Sequence, residues 1–108
     1  MSVANGEAQN TNAGLGVIAD ALAAVAQILD RRGEDYAHNG DQFAAVRITA
    51  QTLGLPPWQI AHTLAAVKDG RLATLAGRPI VDPVVFDTLL DRAAYAVAAL
   101  ALAMEAMK

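Results

Sequence analysis

Leu15, Ile18, Leu22, Val25 and Leu29 recur at 3-4-3-4 spacing, and half of the positions between them are alanine. That spacing is the seam of an amphipathic helix. Asp30, Arg31 and Arg32 close it, and Gly33 is the expected C-terminal cap. Residues 1–13 carry several Asn, Gln and Gly and no helical period, so they read as a flexible tail ahead of one folded domain, residues 14–108. The polar stretch 33–41 connects to a second helix. Asp41 is placed to cap that helix, with Phe43, Val46, Ala50 and Leu53 as its inner face and Gly54 as its end. Pro56 and Pro57 suit the first turn of a third helix, from about Trp58 into Leu75, with Gly70 as a weak point. After a turn at Gly77-Arg78-Pro79, Asp82-Pro83 pairs an N-cap with proline at the first helical position. The fourth helix then runs from Pro83 to about Ala106, with Phe86, Leu90, Ala93, Val97, Leu100 and Met104 on one stripe.

These elements predict an all-α, four-helix bundle. Composition agrees: alanine fills 25 of 108 positions while aromatics make up 5%, which excludes an all-β fold. Between Arg92 and Glu105 the fourth helix has no charge, so it is apolar nearly all round. A bundle this small rarely encloses such a helix, and the expectation is a homodimer or higher oligomer with the C-terminal helix in the interface. The uncharged run Ala93–Met104 spans 12 residues, well short of the roughly 20 a bilayer requires. No membrane partner is expected, and the polar start lacks the apolar stretch of a signal peptide, so a cytoplasmic protein is the expectation. A net charge of −3 argues against a nucleic-acid partner.

Inventory removes several chemistries. Cysteine is absent, and the only serine is Ser2, so thiol catalysis, zinc-thiolate sites and a serine triad in the folded body are excluded. His38 and His62 lack a paired-ligand spacing. The informative residues are charges beside apolar stripes. Lys68 interrupts the row Ala61, Leu64, Leu72, Leu75, and Arg71 adjoins it. Asp87 and Asp91, four apart, stack on one helix face with Tyr95 continuing the row, while Glu34 and Asp35 follow the first helix. One reading is an inter-helix salt-bridge network that fixes register. The other is a site in which carboxylates gather on Mg²⁺ with Lys68 and Arg71 placed for phosphate oxygens. Tyr36 and Tyr95 suit either stacking on a base or packing in the core.

The segment Asp35-Tyr36-Ala37, then Gln42-Phe43 and Arg47, then Lys68 and Arg71-Leu72, and finally Asp87, Asp91 and Ala94-Tyr95-Ala96 resembles a group of small phage and prophage proteins. Those proteins carry Asp-Tyr-Gly, Asn-Phe, a Leu-Lys-x-x-Arg-Leu helix and an Asp-rich helix ending in Gly-Tyr-Ala. More distantly, the chain is similar to MazG-like all-α nucleoside triphosphate pyrophosphohydrolases. The resemblance implies an oligomeric, Mg²⁺-dependent nucleotide protein with a four-helix, MazG-like fold. Glu34 and Asp35 would then serve as catalytic carboxylates, Asp87 and Asp91 as metal ligands, and Lys68, Arg71, Tyr36 and Tyr95 as substrate contacts.

The departures keep other readings open. No Glu-x-x-Glu pair occurs, Ala37 stands where those proteins have glycine, and Gln42 stands where they have asparagine. The alternatives are a non-catalytic helical interaction protein that docks on a host partner, and a protein that sequesters nucleotides without metal.

Overall fold

In the computed structural model the backbone is described for residues 2–36, 41 and 43–108, and side chains for residues 14–33, 41 and 43–108. Four helices make up the fold: α1 (Ser2–Tyr36), α2 (Ala44–Leu53), α3 (Pro57–Thr74) and α4 (Pro83–Ala106). No strand occurs among the described residues, so the chain is an all-α, four-helix arrangement.

Helix starts and stops follow local chemistry. Asp82 caps α4: its side chain accepts from the Val84 N–H at 2.9 Å, and Pro83 fills the first turn, where a missing N–H costs nothing. Gly54 ends α2 at φ +70°, the left-handed backbone that glycine adopts without strain. There the Leu55 N–H reaches the Ala50 carbonyl at 2.9 Å and the Gly54 N–H reaches that of Gln51 at 3.3 Å, closing a Schellman motif. Asp41 sits just ahead of α2, accepting from the Phe43 N–H at 2.9 Å through its side chain and from the Ala44 N–H at 3.2 Å through its carbonyl.

Two punctuation marks read differently in three dimensions. Gly33 does not cap α1; it is buried inside the helix, which continues to Tyr36. Among the described glycines only Gly54 and Gly77 have positive φ, and Gly33 keeps helical backbone. A glycine inside a helix costs about 1 kcal/mol relative to alanine without breaking it. Gly70 is likewise carried within α3. The N-terminal bound of α1 at Ser2 also takes in residues 2–13, where the sequence shows no helical period.

The most extensive packing joins α3 and α4, with α1 laid on α4 and α2 on α3. Its seam is small: Ala61 and Ala65 on α3 face the α4 row Ala94, Ala98 and Leu102, all at most 5% exposed. Alanines four apart leave no bulk between the two backbones, so the helices pack closely. Leu29, Phe43, Val46 and Ala99 close over the cluster of Ala61, Ala98 and Leu102, where all four helices meet. Thr88 is buried on the same side of α4, and its hydroxyl donates to the Val84 carbonyl at 2.6 Å.

The expected α4 stripe is therefore mostly the outer one. Phe86, Val97, Leu100 and Met104 are exposed, and the inward row is Val85, Thr88, Ala94, Ala98 and Leu102. When a helix is apolar all round, size decides which face goes inward, and the alanine row fits against α3. Along the α1 seam only Val25 is buried and Leu29 half-buried; Leu15, Ile18 and Leu22 are exposed. Leu53, expected on the inner face of α2, is exposed too. No helix among the described residues is long and apolar enough to cross a membrane.

Candidate functional site

Asp91 stands at the centre of the charged cluster, and three helices supply it. From α1, Arg32 Nη2 donates to Asp91 Oδ1; from α3, Lys68 Nζ lies 3.5 Å from Asp91 Oδ2. One turn further along α4, Tyr95 lies beneath the same arginine, its ring centroid 5.0 Å from the guanidinium carbon, within cation–π range. All three charged side chains are about one-quarter exposed, so the cluster is partly screened by protein rather than lying in open solvent. Arg32 Nη1 is buried and has no hydrogen-bond partner among the described residues.

Beside this cluster lies a hollow of about 320 Å³ lined by Lys68, Arg71, Val84, Asp87, Thr88 and Asp91. Four residues singled out in the sequence, Lys68, Arg71, Asp87 and Asp91, thus share one wall between α3 and α4. Arg71 and Asp87 form no ion pair among the described residues. Tyr95 lines the neighbouring pocket instead. The side chains of Glu34, Asp35 and Tyr36, and all of His38, lie outside the described residues; His62 is exposed.

The expected magnesium centre is not supported. Among the described residues no group of three or more His, Cys, Asp or Glu side chains could hold a metal ion. The physical reason is visible at Asp91: both of its oxygens face cations, so the positions a metal would occupy are already taken up by Arg32 and Lys68. Mg²⁺ binds through carboxylates free to turn their lone pairs on it, and Asp91 is not free.

Arg32 is the residue that reading the pattern missed. The α1 seam continues from Leu29 by a step of three to Arg32, so the arginine occupies the next inward position. Its neighbour Arg31 made the pair look like a solvated helix end. A charge in register with an apolar seam, opposite a carboxylate in register with another, was the available signal.

A second polar tie holds α2 to α4. Arg47 Nη1 and Nη2 donate to the two carboxylate oxygens of Glu105 at 2.6 and 3.0 Å, and Arg47 Nε donates to Asp41 at 2.6 Å. Two carboxylates hold the Arg47 guanidinium well above its ordinary value, with Glu105 the larger cause. Asp41 is held below the usual carboxylate range, first by the Phe43 N–H and then by Arg47; Glu105 is lowered by Arg47. Asp82 is lowered by the Val84 N–H and by Arg78, whose Nε donates at 2.8 Å. On the outer side, Arg92 of α4 reaches Asp69 of α3 at 3.0 Å.

Compared with known protein families, curated proteins and solved structures, the chain gives no match, so its reading rests on its own residues.

Proposed function

We propose that the chain is a non-catalytic helical interaction module that pairs with a second copy of itself through the apolar faces of α1 and α4. The observation that carries this reading is the α1 seam, which is used by the chain's own core only as far as Val25 and Leu29. Its continuation, Leu22, Ile18 and Leu15, is 55–60% exposed, and on α4 Phe86, Leu100 and Met104 are 55–61% exposed. Where α1 lies on α4, apolar hollows are formed jointly by the two helices. One, of about 270 Å³, includes Leu22, Val25, Leu29 and Val97; another, of about 190 Å³, includes Ala24, Val25, Phe86 and Leu90. Leucine and phenylalanine side chains from an identical helix suit such hollows, and a two-fold pairing would use the same surface on both copies. The charged residues around Asp91 are then structural, holding α1 at the angle that presents the seam.

Light scattering on the whole chain, from about 1 to 100 µM, tests this reading against the double variant Ile18→Glu/Leu22→Glu. The native chain is expected to run as a dimer or larger species and the variant as a monomer of unchanged helicity. A native chain that remains monomeric throughout that range refutes self-pairing.

A second reading is favoured by Arg71, which lacks a carboxylate partner among the described residues and lies beside Lys68 on the 320 Å³ hollow. It is metal-free retention of a nucleotide or nucleotide-derived phosphate. Mass spectrometry of the fraction retained after incubation with mixed nucleotides in EDTA tests it. Retention that disappears in Arg71→Ala favours it, and absence of any retained nucleotide removes it.

A further inference from the structure

We propose that the pocket at the junction of the four helices binds a small monocarboxylate with an apolar body, the carboxylate meeting Arg32 and the body lying among Leu29, Phe43, Val46 and Leu64. The pocket is about 340 Å³ and takes walls from every helix; Arg32 and Tyr95 are its polar members. That size and make-up suit a ligand of about ten to fifteen non-hydrogen atoms, with apolar walls for affinity and a few polar groups for orientation. This inference needs no second copy of the chain, so it stands or falls separately from self-pairing.

Three observations specify the ligand's polar end. Arg32 Nη2 is already engaged by Asp91, whereas Nη1 is buried with no acceptor among the described residues. A buried donor left unpaired is unfavourable, and an incoming oxygen would relieve it. Charge is the second: Arg32 and Lys68 share the single carboxylate of Asp91, leaving one positive charge in excess among these three groups. A monoanion balances it. Geometry is the third: the guanidinium lies over Tyr95, so its plane is held and its remaining donor is preorganised. The largely apolar walls penalise a dianion such as a phosphate monoester, which would bring more charge than the site can neutralise.

The test uses the whole chain and three probes of similar shape: 3-phenylpropionate, its neutral amide, and phenyl phosphate. Calorimetry and saturation-transfer NMR should show the acid binding about tenfold more tightly than the amide, with phenyl phosphate weaker than the acid. Arg32→Gln should abolish the preference for acid over amide. Because Arg32 also ties α1 to Asp91, a second variant guards against a folding defect. Ala45 lines the pocket yet is exposed, so Ala45→Phe should block binding of acid and amide alike while leaving helicity and the melting temperature unchanged. Equal binding of acid and amide, tighter binding of phenyl phosphate, unaltered acid binding by Ala45→Phe, or no binding of any probe up to about 5 mM overturns the proposal.

Discussion

Arg47 grips Glu105 with both terminal nitrogens, at 2.6 and 3.0 Å, while its Nε holds Asp41 at 2.6 Å. One side chain thus connects the residue that precedes α2 with the last full turn of α4. Helix α2 packs chiefly on α3, and toward α4 the fork adds a polar tie beside the apolar contact of Val46. Arg47→Met keeps the apolar stem and removes the fork. Amide hydrogen exchange should then quicken across Ala44–Leu53 while α3 stays protected; a uniform change along the chain would refute this local role.

Asp41, Asp82 and Glu105 all have their carboxyls held below the usual range, by backbone N–H groups and by Arg47 or Arg78. A depressed folded-state pKa means that the unfolded chain binds protons more readily. The stabilisation is present above the ordinary carboxylate range, near pH 4, and is lost as pH falls through the lower folded values. Thermal melts should therefore be flat near neutrality and drop between about pH 5 and pH 2. Asp82→Asn retains an N-cap acceptor and should make that drop shallower; an identical pH profile in the variant would discount the cap's share.

The two aspartates of α4 should behave differently although they lie one turn apart. Asp91→Asn weakens the contacts to Arg32 and Lys68 and should cost about 1–3 kcal/mol in denaturant unfolding. Asp87→Asn touches no ion pair among the described residues and should stay within about 0.5 kcal/mol of the native chain. Equal costs for both would contradict the network.

Leu100 and Leu102 divide the work of α4 between outside and inside. Leu102 is 3% exposed in the core, and Leu102→Ala should cost about 2–5 kcal/mol. Leu100 is 61% exposed, so Leu100→Ala should leave the unfolding energy of the monomer within about 0.5 kcal/mol and instead shift light scattering toward smaller species.

Two glycines should respond in opposite directions to alanine. Gly54 holds φ +70° at the end of α2, where a Cβ is strained by about 1–2 kcal/mol whatever the space around it. Gly70 lies in α3 with open space where a Cβ would go, and Gly70→Ala should stabilise by about 0.5–1 kcal/mol. Melting temperatures of the two variants, one below and one above the native chain, check both.

What the sequence disclosed was mostly punctuation. Asp82-Pro83 and Gly54 mark helix ends through backbone chemistry that acts locally, and both stand where expected. The all-α class followed from alanine and from periodicity. Orientation was harder to read, because α4 offers apolar residues on every side and the choice between the Phe86–Leu100 stripe and the Ala94–Leu102 row depends on how near α3 can come. The cluster was half legible. Lys68 and Asp91 drew attention as charges beside apolar rows, and the structure brings them together. Arg32 hid behind Arg31, and together with Lys68 it takes up both oxygens of Asp91, where a metal was expected.

α1 also has a mechanical consequence. From Ile18 to Arg32 it is unbroken helix, about 21 Å of rod at 1.5 Å per residue. Its far end carries exposed apolar residues, and its near end is anchored by one guanidinium to Asp91. Between the two ends Val25 and Leu29 pack into the core, so the rod is held along its middle as well as at Arg32. What projects beyond Val25 is an overhang of about 10 Å as far as Ile18, at 1.5 Å per residue. A partner that grips this overhang meets a stiff arm rooted in apolar packing, with its leucine and isoleucine side chains already presented on one side.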